Sequence, residues 1–253
     1  MRATALLVLL SALPAAAQPR ASCPTETVRE VIAGVTERGE IRLAERLVRL
    51  SDLRLPEGAP GAQARDWLAS HAGKTAQVAA AVPDRWGRHP ASVTVEDETG
   101  PLDLARNLVA AGLALVDAEA ALCRPELLAL EGRARAAGLG LWASDRYKPV
   151  AAADLKRLEA LVGRFALVEG RILSVGERRQ RTYLNFGRDW KTDLTITIPK
   201  PTWAILRERG LTAAALRGRR VRARGVVEEW QGPALTLWAA DLLELLDEDA
   251  SRR

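Results

Sequence analysis

Apolar positions along this chain follow two rhythms. Over 40–51 they alternate in a strand-like way, with Ile41, Leu43, Leu47 and Leu50 as the apolar points. Leu55 to Gly61 is rich in turn residues, and over 62–72 the spacing becomes helical, with Ala64, Trp67, Leu68 and His71 on one face. Strands are predicted over 75–81 and 90–95. Helices are predicted over 103–114 and over 125–137, the latter with Pro125 at a first-turn position and Gly138 at its end. Strands followed by helices predict a small barrel with helices packed on it.

After Lys148 the rhythm changes. Residues 166–175 read as one long strand with a bend at Gly170, followed by strands over 181–186 and 194–198 and a helix over 201–209. Alternation returns in Arg219 to Val227, and 233–238 is a fifth strand. Three strands, a helix and two strands is the order of a five-stranded OB-type Greek-key barrel. The expected fold class is therefore mainly β with helices (α+β). A small OB-type barrel with packed helices is expected over 23–148, and a second OB-like barrel over 161–247. Residues 149–160 read as a linker with a short helix capped by Asp154, and 248–253 as a polar tail.

Composition adds a compartment. Arg2 precedes an apolar run from Ala3 to Leu13, and Ala15-Ala16-Ala17-Gln18 offers a small-residue cleavage site, so 1–17 is expected to be a cleaved signal peptide of a secreted or periplasmic protein. The apolar run is too short to span a membrane. In an exported chain two cysteines usually pair, and a Cys23–Cys123 bridge is expected; the alternative is two unpaired thiols. The net charge is +5 and the pI about 9.7, and the basic surplus lies in the second block. That permits nucleic acid as a partner without requiring it. His71 and His89 have no metal-ligand spacing and receive no role.

The candidate chemistry is a phosphodiester kit. Arginine's planar fork matches phosphate oxygens two at a time, and a glutamate can take a proton from water. Arg49, Glu57 and Arg88 supply these groups. They sit within an ordered set: Val48-Arg49-Leu50, Pro56-Glu57, Asp84-Arg85-Trp86-Gly87-Arg88, Leu108 to Ala114, and the closing Glu131, Ala134, Arg135 and Gly140-Leu141-Trp142. Across nearly the whole first block this set resembles the thermonuclease (staphylococcal nuclease) family. More weakly, Gly170, Tyr183 to Gly187 and Arg219 to Gly225 resemble the OB-type extension of some exported members. The resemblance implies a calcium-assisted nuclease of DNA or RNA, with Glu57 as general base and Arg49 and Arg88 holding the scissile phosphate. Nucleic-acid contacts are expected at Arg85 and Trp86.

The metal positions depart from the family. Its first metal aspartate falls on Gly39, or on Glu40 with a one-residue gap. Its second falls on Arg54, beside Leu55 in place of a small residue. Calcium takes six to eight oxygens, and Glu40 and Asp52 are the remaining candidate ligands, so cofactor-free action is an open reading. Val116-Asp117 stands where a base-stacking aromatic is common in the family. Two functional readings stay open: hydrolysis, or a non-catalytic nuclease-fold module binding nucleic acid or a periplasmic protein. The Arg49–Glu57–Arg88 set has a purely structural alternative, an ion pair bracing the loop. In the second block, Arg220, Arg222 and Arg224 are either a phosphate-tracking stripe or a solvated strand face. Tyr183, with Phe186, Trp190 or Trp230, is a candidate stacking platform for bases.

Overall fold

The computed structural model describes residues 23–98, 100–118, 121–189 and 191–246. The expected signal segment, Trp190 and the polar tail lie outside those residues. In chain order the first half comprises β1 (Val28–Val31), β2 (Gly34–Val35), β3 (Ile41–Arg42), β4 (Leu47–Leu50), β5 (Leu53–Arg54), α1 (Ala59–Ala69), β6 (Thr75–Ala80), β7 (Arg88–Asp97), β8 (Gly100–Asp103), α2 (Leu104–Ala110), β9 (Leu115–Val116) and α3 (Glu126–Ala136). The alternating run over 40–51 divides into β3 and β4, because the Leu43 N–H turns back to the Arg46 carbonyl at 2.9 Å. Helix α1 begins inside the stretch read as a loop. Pro60 occupies its first turn, where a missing N–H costs nothing. Asp103 caps α2 by accepting from the Arg106 N–H.

The second half comprises β10 (Val150–Ala151), α4 (Leu155–Glu159), β11 (Phe165–Arg171), β12 (Ser174–Glu177), β13 (Arg181–Asn185), β14 (Thr195–Pro199), α5 (Lys200–Glu208), α6 (Ala213–Leu216), β15 (Arg220–Trp230), β16 (Gly232–Thr236) and β17 (Leu243–Leu245). Asp154 caps α4 as its side chain suggests. The stretch expected to be a linker is more than a tether: Val150 and Ala151 pair in parallel with Val168 and Glu169, and Val150, Ala152 and Leu158 are buried. The long strand over 166–175 breaks at Ile172-Leu173 into β11 and β12. Gly170, just before the break, lies so close to the Phe186 ring that a Cβ there would stand 2.7 Å from it.

The fold is α+β, with mixed sheets in two bodies, and the bodies share one wiring plan. The first sheet runs β1-β6-β7-β4-β3-β2 and the second β11-β15-β16-β14-β13-β12. Matched strand for strand, the two orders are the same. In each, the third and fifth strands pair in parallel (β4 with β7, β14 with β16), and a helix, α1 or α5, follows the third strand. In each, the two ends of the hydrogen-bonded path are consecutive halves of one bent segment. The three-strand, helix, two-strand pattern read in the second half thus also describes the first. Strand β8 adds to β7, β10 to β11 and β17 to β15.

The two bodies meet through apolar and ionic contacts. Leu115, Ala134, Leu141 and Trp142 of the first pack with Leu167 of β11. Beside them Arg224, on β15, is buried. One of its amino groups lies 2.6 Å from Glu131 Oε2 on α3 and 3.2 Å from the Val116 carbonyl, and the other pairs with Glu244. The other oxygen of Glu131 accepts the Val116 N–H at 2.7 Å, and Arg135 approaches the first at 3.3 Å. Arg222 pairs with Glu169 at 2.7 Å and Glu244 at 3.2 Å, and Arg220 with Glu169 at 3.0 Å. This corrects both readings of the arginine run. Arg224 neither tracks phosphate nor faces solvent, because α3 and β17 cover it. Arg222 is nearly covered as well, and only Arg220 is substantially open.

Removing one partner of a buried ion pair strands the other charge. Arg224→Met is therefore expected to destabilise the chain by about 3–5 kcal/mol, read from the urea midpoint. The same cluster sets an acid limit. Burial pushes the Glu244 carboxyl up, but the Arg224 and Arg222 cations outweigh it and hold it below the ordinary glutamate range. The folded chain thus keeps Glu244 ionised to lower pH than the unfolded chain does. Its contribution is present above the ordinary glutamate range and is lost as pH falls through the lowered value. A pH series of unfolding midpoints should fall across that window, and Glu244→Gln should flatten the fall.

Candidate phosphate-binding site

The run Asp84 to Arg88 folds as a tight turn into β7. Asp84 accepts the backbone N–H groups of Trp86 and Arg88 at 2.9 and 3.1 Å, a local bond that aspartate makes readily. Gly87 takes φ 74 and donates to the Asp84 carbonyl, a conformation that costs other residues energy. The turn delivers Arg88 to the first position of β7, where it is in register with Leu47 of β4. Arg49, two residues further along β4, projects to the same region.

Asp84 joins the two arginines. Its Oδ2 lies 2.8 Å from an Arg88 amino group and 3.7 Å from Arg49 Nε. Burial alone would raise this carboxyl, but the bonds from the Arg88 side chain and from the Arg88 and Trp86 N–H groups prevail and lower it. The Arg88 guanidinium is held more firmly protonated, first by its hydrogen bond to Asp84. Arg88 also donates to Glu40 Oε1 at 3.4 Å, while Glu40 Oε2 accepts from the Thr36 hydroxyl at 2.8 Å. These groups line a cavity of about 430 Å³; among the described residues four arginines (Arg38, Arg49, Arg54, Arg88) face it against three carboxylates (Glu40, Asp52, Asp117). Next to Arg88, Trp86 is 58% exposed, with Arg85 stacked over its ring at 4.0 Å and Arg88 at 4.7 Å.

Glu57 lies elsewhere. Its carboxylate is 68% exposed and paired with Arg146 at 2.6 Å, and its carbonyl accepts from the Tyr147 hydroxyl. It borders a separate, smaller cavity with Arg146, Arg164 and Phe165. The structure thus brings Arg49 and Arg88 together and holds the expected base on a different partner. The bracing ion pair read from the sequence forms around Asp84, not Glu57. Sequence reasoning quoted Asp84 without giving it a role, although an aspartate three residues before Gly87 was the available signal. Nothing local signalled Arg146, which lies 89 positions from Glu57.

The residues fit calcium poorly. Both oxygens of Glu40 are engaged by Arg88 and Thr36. Asp52 is buried at φ 63, with Oδ2 3.6 Å from Arg124 Nε. Burial raises the Asp52 carboxyl, against lowering bonds from the backbone of Cys123 and Arg124, so it caps that loop. Arg54, expected from the sequence at the family's second metal position, pairs with Asp117 at 2.9 Å and lies over the Phe165 ring of the second body at 5.2 Å. Asp117 is thereby neutralised and is not a free acid facing a phosphate. Among the described residues no group of three or more His, Cys, Asp or Glu gathers as a metal site. His71 and His89 bond the carbonyls of Trp67 and Ala81. In the second body Tyr183 lies on β13, far along the chain from this cavity, and borders one of its own.

Residues 47–144 match the family model described as staphylococcal nuclease homologue, which supports a thermonuclease-like family for this part of the chain. The match contains Arg49, Glu57 and Arg88 and begins after Glu40. No curated protein matches the chain. Among the described residues no helix is long and apolar enough to cross a membrane.

The Cys23–Cys123 bridge forms, with the two Cα atoms 5.4 Å apart. Pro24 and Cys123 line the cavity, and the adjoining Arg124 binds both oxygens of Asp103 and the Ser51 carbonyl. The bridge spans 100 positions. Reduction should therefore cost about 2–5 kcal/mol, measured as the drop in the urea midpoint with and without reductant, and a Cys23→Ser/Cys123→Ser chain should show the same drop without reductant.

Proposed function

We propose that the chain binds a phosphodiester of nucleic acid in the cavity at Arg49 and Arg88. The observation that carries this reading is the pair of guanidinium groups fixed by Asp84 on one wall of that cavity. Arginines already oriented by a carboxylate lose little freedom when they grip phosphate oxygens, and they remain charged at any working pH. Trp86, exposed and in contact with Arg88, adds an aromatic ring beside these cations for a base to stack on. Binding of this kind weakens steeply with salt. We also place the mature chain in an oxidising, exported compartment. The leader-like start of the sequence and the Cys23–Cys123 bridge support this.

A second reading is hydrolysis, favoured by the family match over Arg49, Glu57 and Arg88. It requires the Glu57 carboxylate to leave Arg146. Leu55, two residues before Glu57, already lines the cavity. From there Glu57 would take the proton of a water attacking phosphorus. The bond to the leaving oxygen would break, and the two arginines would hold the added negative charge.

A fluorogenic oligonucleotide assay with calcium, other divalent ions and chelator, run beside a binding titration, separates the two. The binding reading expects salt-dependent binding that Arg88→Ala weakens about tenfold or more, with no cleavage under any condition. Binding unchanged in both Arg49→Ala and Arg88→Ala would defeat it. The hydrolysis reading expects cleavage that falls about a hundredfold in Glu57→Gln and rises in Arg146→Ala. Cleavage indifferent to both substitutions would sink that reading.

A further inference from the structure

The second body carries an aromatic surface that the Arg49–Arg88 cavity does not use. Tyr183 on β13 and Trp230 at the end of β15 have ring centroids 6.0 Å apart and planes 22° from parallel. Trp230 is 52% exposed. It is held out by a tight turn in which Gln231 adopts φ 67 and Trp230 pairs with Gly232. Burying a tryptophan face is favourable, so an aromatic pair left open to water is a surface suited to a ligand.

The ground in front of the pair is clear. Gly176 of β12 stands opposite Tyr183, and a side chain built on it would meet nothing within 4 Å. The two rings, with Gly176, Arg178, Asn185 and Thr195, line a cavity of about 350 Å³. Among the described residues no carboxylate lines it. Arg178 provides a positive charge, and Arg181 lies close by on β13, donating to Thr197. The Asn185 amide is already donating to Ser174.

We infer that this face is a stacking site for single-stranded nucleic acid. A flat base needs an open aromatic face, and its phosphate needs a cation beside it; the site has both. A sugar ring also stacks on tryptophan, but its hydroxyl groups favour carboxylate partners, and among the described residues none lines this cavity. The site shares no lining residue with the cavity at Arg49 and Arg88, so the inference does not depend on the function proposed for that cavity.

The test is a titration of the full chain with a short fluorescein-labelled oligothymidylate, followed by anisotropy and by tryptophan quenching. Trp230→Ala should weaken binding about tenfold, and Trp230→Phe, which keeps a ring, should retain most of it. Arg178→Ala should reduce the salt dependence. In the Arg49→Ala/Arg88→Ala chain the further loss on Trp230→Ala should persist, which keeps this outcome separate from the fate of the first cavity. Far-ultraviolet circular dichroism and the thermal midpoint of Trp230→Ala should match the parent, since that ring is half exposed. Parent-like binding by folded Trp230→Ala would overturn the inference. So would quenching by cello-oligosaccharide with none by oligothymidylate.

Discussion

Arg224 and Glu131 meet in a place water does not reach, one from each body of the chain, and the relative placement of the bodies rests on that meeting. A buried guanidinium tolerates little displacement, because any shift that parts it from its carboxylates leaves charges unsolvated. Arg224 is in register with Leu167 of β11, two residues from the Phe165 ring that receives Arg54. The Glu57–Arg146 pair lies beside the same junction, bordering a cavity that also contains Phe165. The clamp therefore lies close to both the Arg54–Phe165 contact and the surroundings of Glu57, although it touches neither Arg54 nor Glu57.

This dependence alters the meaning of the substitutions at the family's metal positions. An arginine at position 54 in an isolated nuclease-type domain would be a cation facing a cation site. Here Asp117 balances its charge and Phe165 covers its face, so it serves as a strut between the two halves. Arg49 and Arg88 remain poised at the cavity because Asp84 compensates them from within their own turn. Positive charge is thus sorted by position: toward the junction it is neutralised between the two bodies, and at the cavity it is oriented by a carboxylate of its own turn.

Much of the architecture was legible in the chain. The alternating segments and the helix-spaced segments correspond to strands and helices, and Asp103, Pro125 and Asp154 mark helix starts through local chemistry. The arginine run over 219–224 was misread for a physical reason. Period-two alternation reports which face a side chain takes, and it is silent about what lies on that face. Glu131 is 93 positions from Arg224, and no local rule reaches that far. The site divides in the same way. The arginine turn at 84–88 is written in its own five residues, whereas the position of Glu57 depends on an arginine brought in by the junction. The common wiring of the two bodies was half visible, because the short β1 and β2 carry too few apolar points to declare themselves as the bent first strand.

The bridge between Cys23 and Cys123 turns most of the first body into a covalent ring that includes β4, the arginine turn and α2. A ring has no ends to separate. A protease that cuts one bond within it leaves both pieces attached through sulfur, with Arg49 and Arg88 still on one connected molecule whichever side of them the cut falls. A single nick there would change the connectivity of the first body without dispersing its parts.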